Sequence, residues 1–193
     1  MVFDRVKKWV RTPYAPRADV TLSLADPRFG QVRVVAAWFP RTVTVTGPGR
    51  TAAGPWTAVV DDESIHQVLS HAVVPPRILA SNRDKVRLRF DGQPAPFDPG
   101  RRAMRRATFN GRATLAGRDY VLRQVWFRRA TLRRDGTTVA HLHRGAKGEA
   151  PVQVTQWEPA AEQLDFLAAI LLGATLGVGA RGVVTHLLDA LTP

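Results

Sequence analysis

Two runs in the middle of the chain carry cations in the spacing that phosphate recognition needs. In Lys85-Val86-Arg87-Leu88-Arg89-Phe90 basic and apolar residues alternate. An extended strand would turn Val86, Leu88 and Phe90 to one face and Lys85, Arg87 and Arg89 to the other. Arg123, Arg128, Arg129, Arg133 and Arg134 follow on a later strand and hairpin. A guanidinium grips phosphate oxygens with two parallel N–H donors, which suits lipid headgroups and nucleic-acid backbone alike. These eight residues form the predicted anionic-ligand patch. Trp126 and Phe127 lie among them; exposed, they would stack on bases, and buried, they would serve as core aromatics.

Other constellations are weaker. His141 and His143 are two apart on a predicted strand and share a face, a metal-pair spacing. No third ligand lies nearby in sequence, although His66, His71 or His186 could approach in space, and a closed site needs three or four ligands. No metal and no cofactor are expected, with His141 and His143 the weak metal candidates. Gly177-Val178-Gly179-Ala180-Arg181-Gly182 satisfies G-x-G-x-x-G, but a dinucleotide fingerprint must follow a strand. Here it follows a predicted helix, so a helix C-cap and turn are expected. Asp61-Asp62-Glu63-Ser64 reads as the acidic start of a helix. The chain has no cysteine, which removes thiolate ligands and a thiol nucleophile. No nucleophile elbow, phosphate loop or carboxylate pair supplies an acid, a base and an orienting group, so an enzyme with an unrecognised site ranks third, behind lipid docking and nucleic-acid binding.

Behind these residues the pattern predicts a β-rich α+β protein. Val2, Phe3, Val6, Trp9 and Val10 recur at helical spacing, with Arg5, Lys7, Lys8 and Arg11 opposite. This short amphipathic helix either packs on the domain or anchors on an anionic membrane through Phe3, Lys7, Lys8 and Trp9. Strands are expected at Val20–Leu24, Gln31–Phe39, Thr42–Thr46 and Trp56–Val60, with Gly47-Pro48-Gly49 as a turn. A helix over Ile65–Val73 follows, then the strand ending at Phe90 and a Pro/Gly-rich loop over 91–100. Met104–Phe109, Ala113–Leu115, Asp119–Phe127, Ala130–Arg133, Thr138–His143 and Val152–Trp157 are the later strands. Asp135-Gly136 is the strongest hairpin signal. Pro159 opens an apolar helix whose Leu164, Phe166, Leu167, Ile170, Leu171 and Leu172 cover more than one stripe, so it should be enclosed. Arg181 to Leu191 predicts a second, amphipathic helix. The expected architecture is an antiparallel sheet or β-barrel packed around the apolar C-terminal helix. It forms one compact domain over 1–193, or two related halves (about 18–90 and 101–193) joined by the 91–100 loop. The halves are suggested by Trp38-Phe39-Pro40-Arg41 beside Trp126-Phe127-Arg128-Arg129 and by matching apolar offsets after Trp56 and Trp157.

Net charge is +12, from 28 basic and 16 acidic residues. Residues 77–144 carry 17 basic and 5 acidic groups, a net of +12, while residues 1–76 carry +3 and residues 145–193 carry −3. An arginine-rich genome would spread the excess more evenly. A concentrated field of this sign favours anionic partners, either a lipid surface or nucleic acid. The first ten residues lack the apolar core of a secretory signal. The apolar run from Phe166 to Ala180 is shorter than the ~20 residues that cross a bilayer. The expectation is therefore a cytoplasmic protein without a transmembrane segment, peripheral to the inner membrane face if it docks there.

From Gly117 to Gly179 the order is Arg-Asp-Tyr-Val-Leu-Arg, Trp-Phe-Arg, a Leu-Arg-Arg-Asp-Gly-Thr hairpin, Val-Ala-His-Leu, a final strand and an apolar helix. This stretch, about a third of the chain, resembles the closing part of the tubby C-terminal-like or LURP-one-related proteins. The resemblance implies about a dozen strands in a barrel around one hydrophobic helix, and a lipid-facing, non-enzymatic role. The Ile65–Val73 helix and the helix after the central one depart from that plan, and no ligand residue carries over.

Overall fold

The computed structural model describes residues 20–38, 41–50, 54–61, 86–100, 110–126, 128–145 and 152–179. The helices expected at 2–11, 65–73 and 181–191, the strand expected at 104–109, Lys85 and Phe127 lie outside the described residues.

Among the described residues, twelve strands form two antiparallel meanders. β1 (Val20–Asp26), β2 (Gly30–Trp38), β3 (Arg41–Arg50), β4 (Gly54–Asp61), β5 (Arg87–Phe90) and β6 (Gln93–Ala95) make the first, in chain order. β7 (Phe97–Asp98), β8 (Gly111–Leu115), β9 (Arg118–Trp126), β10 (Arg129–Arg134), β11 (Thr137–His143) and β12 (Gln153–Trp157) make the second. Period-two sequence drives both. Val32 and Val34 of β2, Val43 and Val45 of β3, and Ala58 and Val60 of β4 are fully buried, while the residues between them face outward. Among the described residues, three hairpins use two-residue turns with positive φ at both positions, Asp91-Gly92, Ala116-Gly117 and Asp135-Gly136. That geometry follows the twist of the flanking strands.

Two expectations are corrected. The 91–100 segment is not a loop: it holds the Asp91-Gly92 turn and the short strands β6 and β7, and the chain changes sheet at Pro96. Gly47-Pro48-Gly49 is not a turn either; it is an irregularity inside β3, where pairing to β4 slips between Thr46 and Gly49. Proline has no ladder donor, so it sits where the ladder is already broken.

Between the sheets lies α1 (Gln163–Leu176), with every residue from Leu164 onward buried. It packs against β2, β3 and β4 of one sheet and β8, β9 and β11 of the other. A helix apolar on all sides must be covered on all sides, and both sheets supply that cover. α1 begins later than Pro159 predicts, at a capping box in which Glu162 and Asp165 satisfy each other's backbone N–H groups. Close approach at its other end depends on Gly111 of β8, where a Cβ would stand 1.9 Å from Leu176 Cδ1.

Among the described residues the two sheets do not join into a hydrogen-bonded barrel. One seam is covalent, at Pro96, whose carbonyl accepts the Thr114 amide at 3.0 Å. The opposite seam is closed by side chains. Arg28, in the β1–β2 turn, donates to the carbonyls of Glu158, Pro159 and Ala161 at 3.2, 2.9 and 2.9 Å. Trp157 Nε1 donates to Asp26 Oδ2 at 2.6 Å. Phe29 meets the Trp157 ring edge-on at 4.8 Å, and Trp157 meets Phe166 edge-on at 5.8 Å. Such aromatic pairs add about 0.5–1.5 kcal/mol each beyond area burial. The closed-barrel alternative thus gives way to two open sheets clasped around a helix.

Candidate functional site

The outer face of the second sheet gathers cations in cross-strand rows. Arg112 of β8 pairs with Val121 of β9, which pairs with Arg133 of β10. Arg123 pairs with Thr131, and Thr131 with His141 of β11. Trp126 pairs with Arg129, and Arg129 with His143. Residues two apart on a strand share a face, so Arg123 and Arg129 are diagonal neighbours across β9 and β10, within reach of one phosphate-bearing surface. Arg112, Arg123 and Arg129 are exposed and make no ion pair with any described residue. Arg112 was not in the predicted patch, although its alternation with buried Ala113 and Leu115 is visible in the sequence.

The other predicted cations go elsewhere. Arg87 and Arg89 stand on β5 in the first sheet, where Arg89 Nη2 pairs with Asp61 Oδ2 at 3.1 Å. They border a separate cleft of about 440 Å³. Arg128 Nε and Nη2 donate to the Arg144 carbonyl at 3.2 and 2.9 Å, which ties the start of β10 to the end of β11. Arg133 bends over its own turn to donate to the Gly136 carbonyl. Arg134 leaves the patch altogether. Its neighbour Arg133 faces out, so Arg134 faces in, and its side chain is 15% exposed.

There Arg134 completes a buried polar knot at the head of α1. Arg134 Nη1 donates to Asp165 Oδ1 and Oδ2 at 3.1 and 2.8 Å. The Tyr120 hydroxyl donates to Asp165 Oδ1 at 2.9 Å, and the Glu162 amide to Oδ2 at 2.7 Å. Asp165 is fully buried, and these donors replace the water it has lost. Around it, Arg118 Nη1 donates to Glu162 Oε2 at 2.6 Å. That bond holds the Glu162 carboxyl below the usual carboxylate range and the Arg118 guanidinium above its own. Burial, and then the Asp165 charge, keeps the Tyr120 hydroxyl well above the usual phenol range. Every strong donor and acceptor of the knot has a partner within the protein, so it holds β9, β10 and α1 together and leaves no group aimed at a ligand.

His141 and His143 do share the outer face, as their spacing predicts. His141 Nε2 lies 3.2 Å from Glu158 Oε1, and no group of three His, Asp or Glu among the described residues is placed to hold a metal ion. Gly177 is the C-cap of α1, its amide bonded to the Gly173 carbonyl at 2.9 Å. The buried Gln124 finishes that cap: its Nε2 donates to the Gly177 carbonyl at 3.0 Å and its Oε1 accepts the Gly179 amide at 2.7 Å. Glycines so engaged offer their amides to no pyrophosphate. No helix among the described residues is long and apolar enough to cross a membrane. The expected anchor residues Phe3, Lys7, Lys8 and Trp9 lie outside the described residues. Compared with known proteins, the chain matches no family model, no curated protein and no solved structure.

Proposed function

We propose that the protein is a non-enzymatic docking module that seats on anionic membrane surfaces through the outer face of its second sheet. One observation carries the reading. Arg112, Arg123 and Arg129 stand exposed on neighbouring strands without a carboxylate partner among the described residues. Guanidinium groups held on a rigid sheet outside any described ion pair keep their attraction for phosphate, Arg123 and Arg129 more fully than Arg112, which stands opposite Asp98. An apolar helix covered by β-sheet is the element that this fold has in common with the tubby-like resemblance, whose closed barrel the two sheets do not form, and the lipid-facing role that the resemblance implies points the same way. Stable peripheral binding takes two signals; residues 1–11, with Phe3, Lys7, Lys8 and Trp9, are the proposed second one.

The test is sedimentation with vesicles of phosphatidylcholine alone and of phosphatidylcholine with phosphatidylserine or a phosphorylated phosphatidylinositol. Each arginine near an anionic surface contributes ~1 kcal/mol. The triple variant Arg112→Gln, Arg123→Gln, Arg129→Gln should therefore partition about a hundredfold more weakly, and raised salt should weaken the intact protein. Deleting residues 1–11 should weaken it further. Equal binding to neutral and anionic vesicles would defeat the proposal. Salt-sensitive retention on single-stranded nucleic acid, without vesicle binding, would replace it by backbone recognition through the same arginines.

A further inference from the structure

The end of the β9–β10 hairpin is chemically unlike the rest of the cationic face. Pairing between the strands slips there: Ala130 opposes Gln124 but Arg129 opposes Trp126, so Val125 is an extra residue. A bulge of this kind bends the strand and re-aims its side chains. Val125 is 46% exposed and Trp126 62% exposed, and they are the large apolar side chains left in the open among the described residues. Trp126, Arg128, Arg129 and His143 line an open hollow of about 460 Å³, with no carboxylate among its described lining residues. Arg128 is held by the Arg144 carbonyl. Arg129 is therefore the guanidinium available beside the indole.

An exposed tryptophan next to an arginine matches the chemistry of the bilayer interface. The indole ring settles at headgroup level, and the guanidinium takes a lipid phosphate. We propose that the protein meets an anionic bilayer with this end of the second sheet downward, Val125 and Trp126 entering the interfacial layer and Arg129 holding a lipid phosphate. This rests on the membrane-docking reading above and adds the orientation and the inserted residues to it.

Brominated phosphatidylcholine in phosphatidylcholine–phosphatidylserine vesicles tests it on the full chain. In a Trp9→Phe background, which silences the tryptophan of the residue 1–11 anchor, part of the tryptophan emission should be quenched on binding, and that part should vanish when Trp126→Phe is added, a change that keeps an aromatic insert and should leave binding within about twofold. Trp126→Ser should bind roughly tenfold more weakly, from the loss of interfacial apolar area. Arg129→Gln should cost about fivefold. Quenching that survives in the Trp9→Phe, Trp126→Phe double variant, or a Trp126→Ser variant that binds like the intact chain, would overturn the orientation while leaving membrane docking in place. If the intact chain sediments no better with phosphatidylserine vesicles than with phosphatidylcholine alone, the docking reading itself falls, and the orientation with it.

Discussion

Removing the charge from Asp165 is the most direct probe of how this fold is held. Its carboxylate is fully buried and receives hydrogen bonds from the Tyr120 hydroxyl, Arg134 Nη1 and the Glu162 amide. In Asp165→Asn the amide group must turn an NH₂ toward at least one of these donors, so a donor faces a donor and Arg134 loses its buried counter-charge. Breaking one side of a buried pair costs about 3–5 kcal/mol. Arg134 keeps Glu162 Oε1 at 3.1 Å and the Ala160 carbonyl at 3.1 Å, which places the loss near the lower bound, ~3 kcal/mol. Arg134→Met should cost a similar ~3 kcal/mol, because it strands the carboxylate. Most of that penalty in each single variant is the orphaned partner. The double variant should therefore fall short of the sum by roughly 2–3 kcal/mol. Urea unfolding at neutral pH, followed by far-ultraviolet circular dichroism, reads this as a midpoint lowered by ~1–2 M in each single variant. A loss below about 1 kcal/mol for Asp165→Asn, or single effects that add to within ~0.5 kcal/mol, would refute the reasoning.

The same knot makes stability depend on pH in two windows. Glu162 has a depressed native pKa, caused first by the Arg118 hydrogen bond, so its stabilisation is present above the unfolded carboxylate value and is lost as pH falls through the native one. The effect is small because the side chain is half exposed, and Glu162→Gln should flatten the acid limb of a melting-temperature profile. Tyr120 has a raised native pKa, chiefly from burial. The unfolded chain therefore releases its phenol proton first, and stability should decline from about pH 10 upward, a decline that Tyr120→Phe should remove. Gly111→Ala puts a Cβ 1.9 Å from Leu176 Cδ1, and should destabilise by about 1–3 kcal/mol; adding Leu176→Ala should relieve the clash without restoring the core, and a neutral Gly111→Ala would show that β8 can slide. Ala116 holds φ 49° in the turn before Gly117, so Ala116→Asn should stabilise by roughly 1 kcal/mol and raise the melting temperature about 2–4 °C; a lowered value would deny the strain.

Period-two alternation made most strands legible before any coordinates. Val86, Leu88 and Phe90 are buried as their spacing predicts, and Asp135-Gly136 makes the predicted turn. Short strands escaped notice because Gln93–Ala95 and Phe97–Asp98 are too brief to establish a period, and their Pro and Gly content imitates a loop. The patch was overdrawn for a reason that alternation itself supplies: Arg133 and Arg134 are adjacent, so one strand face cannot hold both. Arg112 obeys the same rule, but its strand has only five residues, too few to mark a period.

From its sequence alone this protein is determined to be an arginine-rich antiparallel β structure with an apolar helix after the last strand, since residue periodicity and turn chemistry are local properties. Only the tertiary structure decided which arginines are committed and which are open. Asp61, Asp165, Glu162 and the Arg144 carbonyl each claim a cation from a different strand or helix. Such pairings depend on strand register and on how the two sheets close around the helix. Neither is written in the spacing of any single segment.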